Sequence, residues 1–294
     1  MPRHLANLLL LTAGAIWGMG FVAQSTAMDD IGPFLFIGLR FLVATLVVAP
    51  FAFVEMRKAA APLTRHSLKG FLAIGVALFF GISLQQVGLL TTSVTNSGFL
   101  TGLYVVFVPI LSLLVMRMRP HALVWPAVLM TFVGIWLLAG GRAISLNQGD
   151  YLTIACAVLW AVQVILVGRF GASSGRPLAL AMSQFVITAA LALGIGLAIE
   201  PVEATAIVAA LPEVLFAGIF ASGIAFTLQV IGQRYTTAPQ AAIFLSTESL
   251  FAALFGAVVL SERIAPLGYL GGLLIFLAIL VAEVGPELRR RRVV

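Results

Sequence analysis

The chain has 294 residues, of which 61% are hydrophobic and only 10% carry a charge. A soluble globular domain normally has about 25% charged residues, so this composition excludes a soluble fold and indicates an integral membrane protein. The formal net charge of +6 does not indicate nucleic-acid binding, because the basic residues lie in short clusters between apolar segments and are better explained as topology signals.

Ten apolar segments follow one another along the chain, each close to the roughly 20 residues that a helix needs to cross the hydrocarbon core. Their length and lack of alternation argue against membrane strands. The predicted fold is therefore an all-α integral membrane protein with ten transmembrane helices. The predicted spans are 5–26, 33–54, 68–90, 95–116, 122–140, 149–169, 177–199, 212–234, 238–260 and 265–284.

Charge divides the connecting loops into two sets. One set carries most of the basic residues, namely Arg3, Arg57, Lys58, Arg65, Lys69, Arg117, Arg119, Arg169, Arg176, Arg234 and the tail from Arg289 to Arg292. The opposite set has only Arg142 and Arg263, beside the acidic residues Asp29, Asp30, Asp150, Glu200, Glu203, Glu213 and Glu262. The positive-inside rule therefore predicts a multi-pass membrane protein with both termini in the cytoplasm.

The two halves of the chain resemble each other at an offset of 143 to 145 residues. The aligned pairs are AIWG at 15–18 with VLWA at 158–161, PFLFIGLRF at 33–41 with PLALAMSQF at 177–185, LQQVGL at 84–89 with LQVIGQ at 228–233, and TTSVTNSGFLTG at 91–102 with TTAPQAAIFLST at 236–247. Five spans per repeat is an odd number, so the second repeat must enter the membrane inverted. We predict repeats at 1–145 and 146–294 within one membrane domain, an arrangement typical of secondary transporters.

The motifs AIWG in the first helix, Arg40 in the second, TTSVTNSGFLTGLYVVFVPILSLL in the fourth and LFGAVVLSER in the ninth resemble the drug/metabolite transporter superfamily. Within it, the chain is most similar to the EamA-type permeases, which include bacterial amino-acid exporters of the YddG kind. This resemblance implies a bacterial-type inner (plasma) membrane as the location. The resemblance covers essentially the whole chain. It implies a central cavity lined by helices one, three, four, six, eight and nine, with alternating access between the halves, and it says little about the substrate.

Polar and aromatic side chains inside the spans are candidates for the substrate site, because polar groups at membrane depth often mark transport pathways. Trp17 and Trp160 are related by the repeat and lie near mid-span, away from the interface belt where tryptophan is common. For each Gln, Asn or Ser the alternative is a structural hydrogen bond between helices. The predicted substrate-binding residues are Trp17, Phe21, Gln24, Gln85, Asn96, Phe99, Tyr104, Trp160, Gln163, Ser222, Gln229, Phe244 and Glu248.

Glu248 lies about 15 Å into the ninth span at 1.5 Å per residue, close to the midplane. An unpaired carboxylate is very costly there, so Glu248 should be neutral, paired or facing a wet cavity. Arg40 lies at a similar depth and is a candidate partner. Three interpretations remain open: a structural pair with Arg40, a protonatable coupling site, and a contact with a substrate amine. In each of them Glu248 faces the bundle interior.

Small-residue pairs predict close helix packing. They are Gly14 with Gly18, Gly98 with Gly102, and Gly268 with Gly272, of which the last could equally mediate a dimer. The chain is therefore expected to be a monomer or a homodimer.

The sequence contains no phosphate-binding loop, nucleophile–base pair or metal-ligand spacing. An ATP-driven pump or an enzyme is therefore not expected, and neither is a cofactor or a metal. The expected partners are a small-molecule substrate and the lipid bilayer, without nucleic acid. We predict export of small neutral or zwitterionic metabolites, in particular amino acids, including aromatic and hydrophobic ones. The alternatives are a lipid-handling protein, a structural or receptor bundle, and a carrier for another metabolite or drug.

Overall fold

The structure is a computed structural model that describes residues 1–115, 117, 119–138, 140–141, 146–264 and 266–291, with side chains described as far as residue 282. Arg142, Arg292, the predicted span limits at 116 and 265 and the predicted repeat boundary after residue 145 therefore lie outside the described residues. Throughout the described part of the chain the regular structure is helical, without a strand.

Within the described residues, ten helices form the bundle, and we number them α1 to α10. Eight of them are long and apolar enough to cross a membrane, whereas α5 and the apolar part of α10, Pro266–Ala282, are shorter. Eight predicted spans therefore match full-length helices, and the fifth and tenth coincide with shorter apolar ones. The bounds are Arg3–Thr26 (α1), Pro33–Arg57 (α2), Arg65–Gly88 (α3), Val94–Leu114 (α4), Val124–Leu138 (α5), Gln148–Ser174 (α6), Pro177–Ile199 (α7), Leu211–Gly232 (α8), Ala238–Val259 (α9) and Pro266–Arg291 (α10).

Two short segments complete the described helices: a 3₁₀ turn at Ala27–Asp29 after α1, and a helix at Ala204–Ala209 before α8. Local sequence sets several helix starts. Pro33 and Pro177 begin α2 and α7, where the missing N–H of proline costs no helical hydrogen bond. Asn147 and Asp150 form a reciprocal capping box at the start of α6.

Three helices are irregular in their interior. Leu103 interrupts α4, Ser246 and Thr247 interrupt α9, and Ala217–Ile224 in α8 is π-helical. In α9, the hydroxyls of Ser246 and Thr247 donate to the carbonyls of Ile243 and Phe244, at 2.8 and 2.7 Å. Such local bonds compete with the helical ladder. Irregular backbone is tolerated at membrane depth only where protein or a cavity surrounds it, so these breaks indicate the interior site.

The bundle has two ends of different charge. At the basic end, which carries Arg57, Arg65, Arg119, Arg169 and Arg234, the Arg176 guanidinium donates to the Ala61 carbonyl. At the acidic end, which carries Asp29, Asp150, Glu200 and Glu262, Asn147 Nδ2 donates to the Thr91 carbonyl at 2.8 Å. Helix α1 begins at the basic end and α6 begins at the acidic end, so the second half runs inverted to the first.

Helix pairing follows the inverted repeat. Helix α1 packs against α8 and α9, and its counterpart α6 packs against α3 and α4. The equivalent helices α2 and α7 pack against each other, as do α5 and α10. Each half of the chain therefore packs its helices against helices of the other half, and the two repeats form one membrane unit.

The α2–α7 pair is closed at both ends by glutamate caps. Glu200, after α7, accepts the N–H groups of Phe34 and Leu35 at the start of α2, at 2.9 and 2.7 Å. Glu55, near the end of α2, accepts those of Leu178 and Ala179 at the start of α7, at 3.2 and 2.9 Å. Each carboxylate satisfies two otherwise unpaired donors and complements the helix dipole. These caps were not predicted from the sequence.

The glycine pairs lie where helices approach closely. A Cβ on Gly14 would lie 3.0 Å from the Leu245 carbonyl oxygen in α9, and one on Gly98 would lie 2.8 Å from Ala252 Cβ. Gly18 and Gly102 also face α9, through Ala252 and Ser249. On α10, Gly268 contacts the end of α5, and a Cβ on Gly272 would lie 3.0 Å from Leu250 in α9. All three pairs thus pack within the chain.

Candidate functional site: a central cavity between the repeats

A cavity is enclosed between the two halves of the bundle. All six helices that the family resemblance implied, α1, α3, α4, α6, α8 and α9, contribute to its wall, and α2 adds Arg40. The lining residues are Trp17, Gly20, Phe21, Gln24, Arg40, Ile82, Gln85, Tyr104, Trp160, Val164, Ala221, Phe226, Gln229 and Glu248.

The cavity is contracted in this conformation. Its free volume is about 20 Å³, which is room for about one water molecule. A small-molecule ligand would therefore require the wall to move apart. The π-helical part of α8 contributes Ala221 to that wall, and such segments are frequent at functional sites.

Aromatic rings from both repeats form one side of the wall. Phe226 stacks on Trp160 with a centroid distance of 5.6 Å and an interplanar angle of 16°, and its centroid is 4.8 Å from that of Trp17. The two tryptophans are 6.2 Å apart. The Trp17 indole donates to the Ala221 carbonyl at 2.8 Å, whereas Trp160 Nε1 is buried without a hydrogen-bond partner, with the Cys156 thiol as its polar neighbour. Trp17 and Trp160, one from each repeat, therefore lie in the same wall of the cavity.

Arg40 is a buried cation held by neutral groups. Only 2% of its surface is exposed. Its Nε donates to Ser222 Oγ at 3.0 Å and one terminal nitrogen donates to Gln24 Oε1 at 2.9 Å. The Phe36 and Phe41 rings lie 5.6 and 5.2 Å from its guanidinium carbon, within cation–π range. Among the described residues no carboxylate pairs with Arg40, so its charge has no counter-ion.

Glu248 begins the second part of α9 and is 5% exposed. At this position the partial positive charge of the helix N-terminus favours a carboxylate. The Tyr104 side chain lies within interaction range of the Glu248 carboxyl group, although neither Tyr104 Oη nor Glu248 Oε1 makes a hydrogen bond of regular geometry. Arg40 and Glu248 line the same cavity without an ion pair between them. The structural-pair interpretation of Glu248 is therefore not realised in this conformation, and the other two remain.

Glutamines form a hydrogen-bonded group beside the cavity. Gln163 Nε2 donates to Gln184 Oε1 at 3.1 Å, and Gln229 Nε2 donates to Gln163 Oε1 at 3.0 Å. In the first repeat, Gln85 donates to Thr101 Oγ1 at 3.1 Å. All of these glutamines therefore make structural hydrogen bonds between helices, the alternative to a substrate contact. Gln85 and Gln229 also line the cavity.

The structure brings most of the predicted site residues to the cavity. Those in its wall are Trp17, Phe21, Gln24, Arg40, Gln85, Tyr104, Trp160, Gln229 and Glu248. Ser222 and Gln163 lie one hydrogen bond behind it, Phe99 and Phe244 pack in the apolar core, and Asn96 lies at the acidic end. Phe99 and Tyr104 could not both face inward on one regular helix, and Tyr104 is the residue that lines the cavity.

Five lining residues were not predicted: Gly20, Ile82, Val164, Ala221 and Phe226. They are small or apolar residues in apolar helices and carry no chemical signal of their own. The internal repeat relates two of these residues to each other, because the alignment that pairs Gln85 with Gln229 also pairs Ile82 with Phe226.

At the basic end a second cavity of about 660 Å³ is lined by Ser112, Arg119, Pro120, His121, Ile165, Gly168, Arg169, Thr236, Thr237, Ala238, Pro239 and Gln240. Within the described chain, no three His, Cys, Asp or Glu residues group as a metal site requires.

Two carboxylates of the second repeat close the acidic end. Glu262 accepts the N–H groups of Val94 and Thr95 at 3.2 and 3.1 Å, and it also bonds the Thr95 hydroxyl. Asp150 accepts from Thr92 Oγ1 at 2.7 Å and from Asn96 Nδ2 at 2.6 Å. Both carboxylates therefore hold the start of α4, in the first repeat, against the second repeat.

A helical membrane bundle of two inverted repeats that enclose a site between them has the architecture of secondary transporters. The chain belongs to the EamA-like transporter family, whose profile matches residues 4–140 and again residues 147–283.

Relatives and a solved structure agree with that assignment. An uncharacterized transporter of Archaeoglobus fulgidus is 33% identical over 287 residues, covering 96% of this chain and 87% of the relative. A second uncharacterized transporter of that organism is 26% identical over 169 residues, covering 54% and 56%. One solved structure, described only as a crystal structure of protein, covers 99% of both chains with a TM-score of 0.78 and 21% identity, which shows a shared fold alone.

Proposed function

We propose that this protein is a secondary transporter that exports amino acids, in particular those with apolar or aromatic side chains, by alternating access. The observation that carries the proposal is the cavity between the inverted repeats, in which a wall of Trp17, Trp160 and Phe226 faces polar groups. A substrate with an apolar side chain and a polar backbone matches such a wall, because indoles offer apolar area together with a hydrogen-bond donor.

Phosphorylated substrates fit this cavity less well. Carriers of phosphate esters need several Lys or Arg side chains, since each phosphate presents three strongly accepting oxygens. Arg40 is the only basic residue among those that line the cavity. A single guanidinium matches one carboxylate better than a dianionic phosphate.

The positive-inside rule supports a direction for access. It places the basic end, and with it the 660 Å³ cavity, in the cytoplasm and the closed acidic end outside. Export requires substrate to enter from the cytoplasm, which on that orientation is the side of the 660 Å³ cavity. Transport of the substrate must follow a concentration gradient or be coupled to an ion, because the sequence contains no phosphate-binding loop for ATP.

Counterflow in proteoliposomes tests the proposed function. Vesicles loaded with unlabelled phenylalanine or leucine should accumulate the labelled amino acid, while vesicles loaded with glucose 6-phosphate or tetraethylammonium should not exchange those compounds. Empty vesicles and the Trp17→Ala variant are the controls. Exchange of the phosphate in preference to the amino acids, or no exchange of any compound, would contradict the proposal.

The closed acidic end leads to a prediction about gating. Glu262→Gln or Asp150→Asn removes a charge-assisted bond between the repeats, and such bonds contribute about 1.5–3 kcal/mol. We therefore expect the outward-open population to rise by roughly tenfold or more, since 1.4 kcal/mol corresponds to a factor of ten.

Thiol labelling measures that population. In a Cys156→Ser background, which removes the single native cysteine, Phe21→Cys reports access to the cavity from the outside. A membrane-impermeant maleimide should react at least several times faster in the Glu262→Gln variant. Glu55→Gln is the matched control, because Glu55 caps α7 through the same kind of bond at the opposite, basic end of the bundle. Equal labelling rates in all three proteins would rule out a gating role for Glu262.

A further inference from the structure

We propose that Arg40 binds the carboxylate and Glu248 the ammonium group of the transported amino acid, so that the cavity selects zwitterions over acids and amines with the same side chain. This inference rests on the proposed function and names the groups that recognise the substrate. It is carried by two buried, oppositely charged side chains that line one cavity without pairing with each other.

The carboxylate position follows from the unused donors of Arg40. A guanidinium has five N–H groups, and the hydrogen bonds to Ser222 and Gln24 use two of them. Those bonds fix the plane of the group, and the rings of Phe36 and Phe41 flank it. A buried cation without a counter-ion is costly, and a substrate carboxylate can supply that counter-ion through a bidentate bond.

The ammonium position follows from the Glu248 carboxyl group and the Tyr104 hydroxyl, which interact with each other beside the cavity. Glu248 Oε1 and Tyr104 Oη are both buried without a hydrogen bond of regular geometry, and both residues line the cavity. An ammonium group donates three hydrogen bonds, so it can satisfy both oxygens at once. Tyr104 and Glu248 each begin the second part of an interrupted helix, and the repeat offset of 144 residues relates them.

The two charges stay apart because different helices hold them. Arg40 is tethered to α1 and α8 through Gln24 and Ser222, whereas Glu248 is fixed at the interruption of α9. They do not pair even in the contracted cavity, where the free volume is only about 20 Å³. When the wall opens, both groups remain available, and the aromatic rings of Trp17, Trp160 and Phe226 would face the substrate side chain.

A set of three competitors tests the assignment. Counterflow of labelled phenylalanine is measured against unlabelled phenylalanine, 2-phenylethylamine, which lacks the carboxylate, and 3-phenylpropionate, which lacks the ammonium group. For the wild-type protein we expect the amino acid to compete at least tenfold better than either analogue.

Each substitution should remove one of these preferences. Glu248→Gln should reduce the advantage of phenylalanine over 3-phenylpropionate at least tenfold and leave its advantage over 2-phenylethylamine. Arg40→Gln should do the reverse. Arg40→Lys keeps the charge but not the bidentate geometry, so it should give an intermediate preference. This variant replaces Arg40→Gln in the test if Arg40→Gln does not fold. Glu55→Gln, which removes a carboxylate outside the cavity, should change neither ratio.

Two failures can be distinguished. If wild-type protein exchanges phenylalanine but the substitutions change both ratios equally or leave both unchanged, the assignment of Arg40 and Glu248 is wrong while the proposed function stands. If wild-type protein exchanges no amino acid, the proposed function fails. A change in the pH dependence of flux in Glu248→Gln with both ratios intact would instead support the coupling-site interpretation and overturn the ammonium contact.

Discussion

Trp17→Ala is expected to reduce amino-acid flux per folded molecule by at least tenfold. The substitution removes an indole whose ring lies 4.8 Å from Phe226 and 6.2 Å from Trp160, and it removes the hydrogen bond to the Ala221 carbonyl. Replacing a fully buried large aromatic residue with alanine costs about 3–5 kcal/mol in a protein core, and the cost at the half-buried Trp17 should be smaller. Because the Trp17 ring lies in the cavity wall, part of the lost free energy is expected to come from substrate binding. Trp160→Ala should have a similar effect, since the repeat relates the two residues.

The measurement is counterflow divided by the amount of monodisperse protein in the vesicles. Trp17→Phe keeps an aromatic ring and should retain more flux than Trp17→Ala. Trp136→Ala is a matched control, because Trp136 is 39% exposed on the apolar surface of α5 and does not line the cavity. Wild-type flux per molecule in both the Trp17→Ala and Trp160→Ala variants would show that the aromatic wall is packing only.

The length of the helices could be predicted because the bilayer imposes it. An apolar run of about 20 residues is needed to cross the hydrocarbon core, whatever the helix packs against. The same reasoning is weaker for α5 and α10, whose described apolar parts are shorter than a full span. The predicted start of the fourth span, at residue 95, lies one residue from the observed Val94, where the Ser93 side chain caps the helix.

The partners of the buried charges could not be predicted, because depth along a helix does not give direction around it. Similar depths placed Arg40 and Glu248 at one level, and both do line the cavity. The choice of Gln24 and Ser222 as the partners of Arg40 depends on how α1, α2 and α8 are rotated against each other. That rotation is set by close contacts, such as the one between Gly218 and Val43, that no local pattern reports.

The glutamate caps illustrate a second limit of the sequence. Glu55 and Glu200 follow the repeat at an offset of 145 residues, so the symmetry was visible. Their role depends on α2 packing antiparallel to α7, which brings the end of each helix to the start of the other. Without that pairing, each residue is indistinguishable from an ordinary charged residue at a membrane surface.

Gly18→Ala is expected to destabilise the protein by about 1–3 kcal/mol, the usual cost of adding a methyl group to a well-packed interior. A Cβ on Gly18 would overlap Phe251 Cβ and would lie 2.7 Å from Ala252 N and from the Phe251 carbonyl carbon. Backbone atoms cannot rotate aside as a side chain can, so α1 and α9 would have to separate. Thermal unfolding in detergent should show a lower midpoint for this variant than for the wild type.

Gly194→Ala provides the matched control. A Cβ on Gly194, in α7, would meet nothing within 4 Å, and alanine is preferred over glycine inside a helix by up to about 1 kcal/mol. Its midpoint should therefore equal or exceed that of the wild type. Equal midpoints for Gly18→Ala and Gly194→Ala would contradict a close contact between α1 and α9. Because α1 carries Trp17 and α9 carries Glu248, separation of these helices should also widen the cavity and lower flux in the Gly18→Ala molecules that remain folded.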